Sequence, residues 1–113
     1  MPDQCSGEPA IDRTVLDQLR EDLGPDHLPV AIDIFLKDLR ARVAVLRTEG
    51  QSAAVLRKEA HAIKGAAATF GLVRLAARAA ELESAARHGE AGRFGALVAT
   101  VIDEAGVAPA LLA

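Results

Sequence analysis

Apolar residues recur every three or four positions along most of this 113-residue chain, which is the spacing of one face of an α-helix. The longest series predicts about five turns of helix. It consists of Leu28, Ile32, Phe35, Leu39, Val43 and Leu46. Other series follow Asp12 and Ser52, which are suitable N-caps, or start at Leu72 and Phe94. The sequence therefore predicts five helices, the last ending before Gly106.

Consecutive helices joined by short glycine-containing turns lie antiparallel, so four of them can enclose one core. The predicted fold is all-α, an antiparallel up-down four-helix bundle with a short additional N-terminal helix. Residues 1–10 are expected to form a flexible segment, 11–106 the bundle domain, and 107–113 a loosely ordered tail.

Composition limits the classes of function. Hydrophobic residues make up 50% of the chain and aromatic residues only 3%, which favours closely packed helices built from Ala, Leu, Val and Ile. A net charge of −3 argues against nucleic acid and favours a protein partner. The single cysteine, Cys5, supports neither a disulfide framework nor a thiolate metal site. Neither a signal peptide nor an apolar run near the length of a membrane span is evident, so we expect a cytoplasmic protein without membrane contact.

One predicted helix face carries residues that a core does not need. His61, Lys64, Gly65 and Ala68 are three or four positions apart and so form one strip on the surface. Glycine inside a helix costs about 1 kcal/mol relative to alanine, so Gly65 indicates the close approach of another molecule.

Positive charge surrounds the His61 imidazole in this pattern, from Lys64 on one side and from Arg57 and Lys58 one turn earlier. Such charge disfavours the protonated ring and leaves a neutral, nucleophilic imidazole. It would also stabilise a dianionic group transferred to the ring, for which phosphoryl is the obvious candidate. The chain shows no carboxylate cluster for magnesium, so we expect no metal site here and Mg²⁺ from the partner. From these residues alone, a phosphoryl-accepting site and an idle polar surface are equally compatible.

The stretch His61-Ala-Ile-Lys-Gly-Ala-Ala-Ala-Thr-Phe-Gly71 resembles the signature of the histidine-containing phosphotransfer (HPt) domain. The pairs Leu82-Glu83 and Phe35-Leu36 extend the resemblance over about residues 12–105. This stretch differs from that of many family members in having alanine, not serine, after Lys-Gly. The resemblance implies that His61 accepts a phosphoryl group from a receiver-domain aspartate and passes it to another. It also implies response-regulator receiver domains and a hybrid sensor histidine kinase as partners.

The resemblance and the pattern together assign a task to each of three residues. His61 attacks the phosphoryl group, Lys64 stabilises the negative charge of that group, and Gly65 leaves space for the receiver. We expect partner contacts from one further set of residues. It comprises Arg57, Lys58, Ala68 and the first-helix residues Val15 and Leu16, taken as exposed. The role of Glu83 and the partner of Glu59, which falls near an apolar face, cannot be derived from the sequence.

Other functions remain open. The phosphoacceptor domain of a chemotaxis-type kinase shares the His-x-x-Lys-Gly pattern, and a helical adaptor could bind receivers without being phosphorylated. A dimerising histidine-kinase domain fits less well, because Ala62 follows the histidine and no proline lies between His61 and Pro109. No glycine-rich nucleotide loop is evident, so we expect a phosphocarrier without autonomous kinase activity. A closed bundle without a spare apolar face favours a monomer.

Overall fold

Five α-helices and one short 3₁₀ turn are present in residues 8–113, the part of the chain that the computed structural model describes. The helices are α1 (Arg13–Leu23), α2 (Leu28–Arg47), α3 (Ala53–Thr69), α4 (Val73–Arg87) and α5 (Phe94–Leu112), and the turn is Ala91–Arg93. No strand occurs within these residues. The predicted all-α bundle with a short leading helix is thereby confirmed. The expectation for residues 1–7, including Cys5, lies outside the described residues.

The starts of α1 and α3 follow from local capping. The Asp12 carboxylate accepts a hydrogen bond from the Thr14 backbone N–H at 3.0 Å, and the Ser52 hydroxyl accepts one from Val55 at 3.2 Å. Each bond satisfies an amide that has no partner inside its helix. Both caps were predicted from the sequence, and they fix where these two helices begin.

The core is built from leucine and from alanines that let the helices approach closely. Ala60, Ala79 and Ala85 have no exposed surface. The rings of Phe35 and Phe70 stack with centroids 4.7 Å apart, joining α2 to the end of α3. The most extensive contact is between α3 and α4, which follow one another in the chain. These two helices carry the site described below.

The turn between α3 and α4 is attached to the start of α1. Gly71 has φ +77°, and its carbonyl accepts a 2.7 Å hydrogen bond from the Asp12 backbone N–H. A Cβ at Gly71 would lie 2.7 Å from the Asp12 carbonyl oxygen and 3.2 Å from the Val15 Cβ. Glycine is therefore required here both by the backbone conformation and by the close approach of α1.

The end of α5 differs from the prediction. The helix continues to Leu112, and Ala108 and Leu112 are buried in the core. The Arg13 guanidinium also donates to the Leu111 carbonyl at 3.3 Å. The expectation of a loosely ordered tail at 107–113 is therefore wrong through Leu112. Gly106 and Pro109 disfavour helix locally, but burying the apolar residues around them outweighs that cost.

Ala91–Leu112 is also long and apolar enough to cross a membrane by length and composition, with a mean hydropathy of 1.5. The prediction that no apolar run approaches that length is wrong by this measure. One face of the segment, including Leu97 and Val101, packs into the bundle core. A core helix of a globular bundle can have the same length and composition, so these two properties do not distinguish a core helix from a membrane span.

Candidate functional site

His61 lies near the middle of α3 with 70% of its side chain exposed, as its position in the helical pattern predicted. Its Nδ1 atom is 2.8 Å from Oε2 of Glu83, which lies on α4, so the hydrogen bond crosses between the two helices. The contact holds an otherwise exposed ring in one orientation.

Glu83 is the buried centre of the site, with only 6% of its side chain exposed. Besides His61, it contacts Lys64 Nζ at 2.6 Å and Arg87 Nη2 at 3.3 Å. The hydrogen bond from Lys64 lowers the pKa of Glu83, and the hydrogen bond from His61 lowers it further, against the opposing effect of burial. Glu83 is therefore a carboxylate at neutral pH, with its charge balanced locally.

This arrangement fixes the state of the imidazole. An ionised carboxylate can only accept hydrogen bonds, so the Nδ1 atom of His61 carries the hydrogen that Glu83 accepts. In the neutral ring the lone pair is then on Nε2. Within residues 8–113, Nε2 makes no hydrogen bond. The nucleophilic nitrogen is consequently the one that Glu83 does not engage.

Gly65 and Ala68 continue the His61 strip as an exposed surface of small residues. Among the described residues, a Cβ placed on Gly65 would meet no atom within 4 Å beyond its chain neighbours and its own helical backbone. Packing inside the molecule therefore gives no reason for glycine at this position. The observation is consistent with clearance for an external body, the role expected from the sequence.

An open groove of about 450 Å³ lies beside His61, towards the start of α3 and the end of α4. Its lining is Ala54, Arg57, Lys58, His61, Glu83 and Arg87. We call it the cationic groove, after Arg57, Lys58 and Arg87. A second groove of about 410 Å³, between α2 and α5, has a largely apolar lining that includes Leu39, Val43 and Ile102 and contains no nucleophile. Of these two grooves, only the cationic groove is lined by a potential nucleophile, His61.

The predicted apolar contacts from α1 need correction. Leu16 is only 2% exposed and belongs to the core, so it is not an exposed docking residue. Val15 is half-buried next to the turn at Gly71. The cause is that α1 lies against the bundle through its apolar face, which turns Leu16 inward.

Several ion pairs were not found from the sequence, among them those of Glu59 and Glu83. Glu59 pairs with Arg42 at 3.0 Å, which gives it the partner that the helical pattern could not identify. Glu83 pairs with Arg87 one turn later, and this four-residue spacing was visible in the sequence. A glutamate at a core position signals a charged partner, but which residue of another helix supplies it depends on how the helices pack.

In the described part of the chain, no group of three or more His, Cys, Asp or Glu side chains could hold a metal ion. The carboxylate nearest the nucleophile, Glu83, is instead fully engaged by nitrogen donors. The site therefore offers an imidazole and cations.

Comparison with known proteins gives consistent matches. The model of the Hpt domain family matches residues 30–108. The phosphorelay protein LuxU of Vibrio cholerae serotype O1 is 35% identical over 82 residues, which cover 71% of this chain and 73% of LuxU. LuxU of Vibrio harveyi is 32% identical, covering 68% of this chain and 69% of that protein. The crystal structure of histidine-containing phosphotransfer protein B (HptB) from Pseudomonas aeruginosa PAO1 has a TM-score of 0.86 and 35% identity, covering 94% of this chain and 93% of HptB.

Proposed function

Because this chain belongs to the Hpt domain family, we propose that His61 is the residue through which it takes part in a phosphorelay. Histidine phosphotransfer in a phosphorelay is its function, and neither a chemotaxis-type kinase domain nor a non-phosphorylated adaptor is favoured by the comparisons. The observation that carries the residue assignment is the hydrogen bond between His61 and Glu83. It orients an exposed ring with its lone pair on Nε2.

In the proposed reaction, Nε2 of His61 attacks the phosphorus of an aspartyl phosphate on a receiver domain. The N–P bond forms while the P–O bond to the aspartate breaks, and the departing carboxylate keeps the electron pair. The hydrogen on Nδ1 stays in place, so the ring becomes positively charged and the Glu83 carboxylate stabilises that charge. Onward transfer to a second receiver reverses these bond changes.

Lys64 and Gly65 have supporting roles in this proposal. The Lys64 ammonium, 38% exposed and bonded to Glu83, keeps that carboxylate ionised and adds positive charge beside the incoming phosphoryl oxygens. Gly65 leaves room for the receiver backbone at the surface. Mg²⁺ held by the receiver would neutralise charge on the phosphoryl oxygens, and no residue of this chain is assigned to it.

Partners and location follow from the same proposal. The partners are response-regulator receiver domains and a hybrid sensor histidine kinase that carries one, and the protein works in the cytoplasm. The family is one of phosphocarriers. We assign the chain no kinase activity of its own, since its chemistry starts from a phosphoryl group already transferred to an aspartate.

Substitution of the acceptor tests the proposal directly. Incubation with a phosphorylated receiver domain and Mg²⁺ should label the wild-type protein with an acid-labile phosphate, and His61→Gln should remove the label because glutamine has no nucleophilic ring nitrogen. His88→Gln is the matched control, since His88 is also exposed and hydrogen-bonded at its Nδ1 but lies at the end of α4. Equal labelling of His61→Gln and wild type would show that the acceptor is another residue.

A further inference from the structure

The groove between α2 and α5, called the α2–α5 groove below, lies on the edge of the bundle opposite the His61 site. In the ring of four long helices, α2 contacts α3 and α5, and α4 contacts α3 and α5. The α2–α5 pair is therefore opposite the α3–α4 pair, which carries His61 and Glu83. A molecule bound in this groove leaves the imidazole uncovered.

The α2–α5 groove has an apolar floor that the fold covers only in part. Leu39 is buried in the core, whereas Leu36, Val43 and Ile102 are half-buried and line an open volume of about 410 Å³. On α2 the lining runs from Leu36 to Arg47, about 16 Å or three helical turns at the usual rise per residue. An apolar surface with a polar rim is typical of an interaction site. The sequence predicted a bundle without a spare apolar face, and this groove is such a face.

The cations that line the groove are those that α2 does not use internally. Lys37 and Arg42 are each paired with an aspartate four residues earlier in the helix. Arg40 and Arg47 line the groove and are exposed, and within residues 8–113 neither has a carboxylate within 4.0 Å. The lining residues from α5 are all uncharged. Positive charge therefore lies along one rim of the groove only.

The α5 side of the groove has little side-chain bulk at Gly106. Among the described residues, a Cβ at this position would meet no atom within 4 Å beyond its chain neighbours and its own helical backbone. Internal packing therefore does not require glycine here, although glycine inside a helix costs stability. A bound molecule can approach the α5 backbone closely at this point.

From these features we propose that the α2–α5 groove binds an amphipathic helix of a protein partner, with acidic residues along one flank. Arg40 and Arg47 are seven residues apart, so they lie on one face of α2 and about 10 Å apart along its axis. A helix that packs along α2 presents its own residues seven apart in the same register, so two carboxylates at that spacing reach both arginines. A long-chain carboxylate also suits an apolar groove, but its single anionic group satisfies only one arginine.

Two synthetic peptides probe this proposal. The first has about 18 residues, with leucines at the a and d positions of a heptad repeat and glutamates seven residues apart along one flank. The second has lysine at each glutamate position and is otherwise identical. Binding to the whole chain is measured by fluorescence anisotropy at about 0.15 M salt, where distant charges are screened.

Two groove variants are each paired with a matched control. Arg40→Glu with Arg47→Glu reverses the charge of the rim, and Arg57→Glu with Lys58→Glu changes the net charge equally on the opposite edge of the bundle. Gly106→Leu fills the groove from α5. Its control is Gly95→Leu, at a position of α5 that is also exposed and unobstructed in the described chain but does not line the groove.

We expect the glutamate peptide to bind wild type and both control variants equally, and to lose about tenfold or more in affinity for each groove variant. The lysine peptide should show the reverse charge preference and bind Arg40→Glu with Arg47→Glu more tightly than wild type, which also shows that this variant is folded. His61→Gln should bind the glutamate peptide as wild type does, so the result does not depend on which residue accepts the phosphoryl group.

The proposal is overturned if wild type does not bind the glutamate peptide, if both peptides bind wild type equally, or if the control variants lose as much affinity as the groove variants. It is also overturned if dodecanoate occupies the groove more tightly than the peptide, because the ligand is then a lipid. Dimers of wild type that Gly106→Leu converts to monomers in sedimentation would overturn it too, since the groove then binds a second copy of this chain.

Discussion

At the scale of single residues, Glu83 shows how one buried carboxylate can determine what an exposed histidine does. Its oxygens engage His61, Lys64 and Arg87, so burial does not leave the charge unpaired. The same contacts leave only one ring nitrogen of His61 available. The reactive atom is thus selected by a residue that need not touch the substrate.

The first residue-scale prediction concerns acid stability. The pKa of Glu83 is lowered in the folded protein, chiefly by Lys64, so the ionised form stabilises the fold above the ordinary value of 4.5. This stabilisation is lost as pH falls through the lower, folded pKa. Glu83→Gln lacks it, so the difference in unfolding free energy between wild type and variant should be greatest near neutral pH and shrink below pH 4.5.

Urea titrations at a series of pH values measure that difference. Glu21→Gln is the control, because Glu21 is exposed and forms no ion pair in the described chain. Its difference from wild type should be small throughout. A gap for Glu83→Gln that stayed constant down to pH 3 would contradict the stabilising role of the ionised carboxylate.

Gly65 gives the second residue-scale prediction. The methyl group of Gly65→Ala meets nothing beyond its own helix in the described residues, so this variant should raise the unfolding free energy by up to about 1 kcal/mol through helix propensity. It should nevertheless slow transfer from the receiver, since the methyl group occupies the space that the partner needs. Gly106→Ala in α5 is matched, being also exposed, helical and unobstructed. Gly106→Ala should stabilise the fold without slowing phosphotransfer. If Gly65→Ala and Gly106→Ala transferred the phosphoryl group at equal rates, Gly65 would have no role in clearance for the receiver.

At the scale of elements, the α3–α4 hairpin is the unit that the site depends on. Both helices were predictable, because Ser52 caps α3 and glycine follows each helix closely. The contact between His61 and Glu83 was not predictable, since it requires the relative rotation of α3 and α4 about their axes. Helical periodicity predicts which residues share a face of α3 and which share a face of α4. Whether His61 and Glu83 meet at the boundary between the two helices depends on how the helices pack.

The turn of this hairpin yields an element-scale prediction. Gly71→Ala places a methyl group against the Asp12 carbonyl and strains a left-handed backbone, so we expect a loss of about 3 kcal/mol in unfolding free energy. Gly89→Ala has a similar φ of +67° but open space around it, and should lose only about 1 kcal/mol. Thermal or urea unfolding distinguishes the two. Equal losses would mean that the attachment of α1 contributes nothing.

At the scale of the whole molecule, the number of helices and most core positions could be predicted from periodicity alone. The end of α5 could not, because Gly106 and Pro109 are local signals for a helix end, whereas the burial of Leu112 is a property of the folded chain. Leu16 illustrates the same limit, since the sequence places it on an apolar face without saying what covers that face.

The end of α5 gives the whole-molecule prediction. Leu112→Ala should lower the unfolding free energy by about 2 to 3 kcal/mol, because it removes a buried side chain from the core. Val107→Ala, at a position that is 46% exposed, should change it by less than about 1 kcal/mol. Equilibrium unfolding of both variants measures the contrast. If Leu112→Ala were as stable as wild type, the last turn of α5 would contribute nothing to the core.

The chain separation between His61 and Glu83 is only 22 residues, whereas contacts that involve the chain ends span 70 residues from Glu8 to Arg78 and 98 from Arg13 to Leu111. Closing a short loop costs less conformational entropy than closing a long one. Assembly of the reactive pair therefore requires a single local closure, while the distant contacts brace the ends of the molecule. Local opening of α1 or of the end of α5 can therefore occur without separating the His61 imidazole from the Glu83 carboxylate.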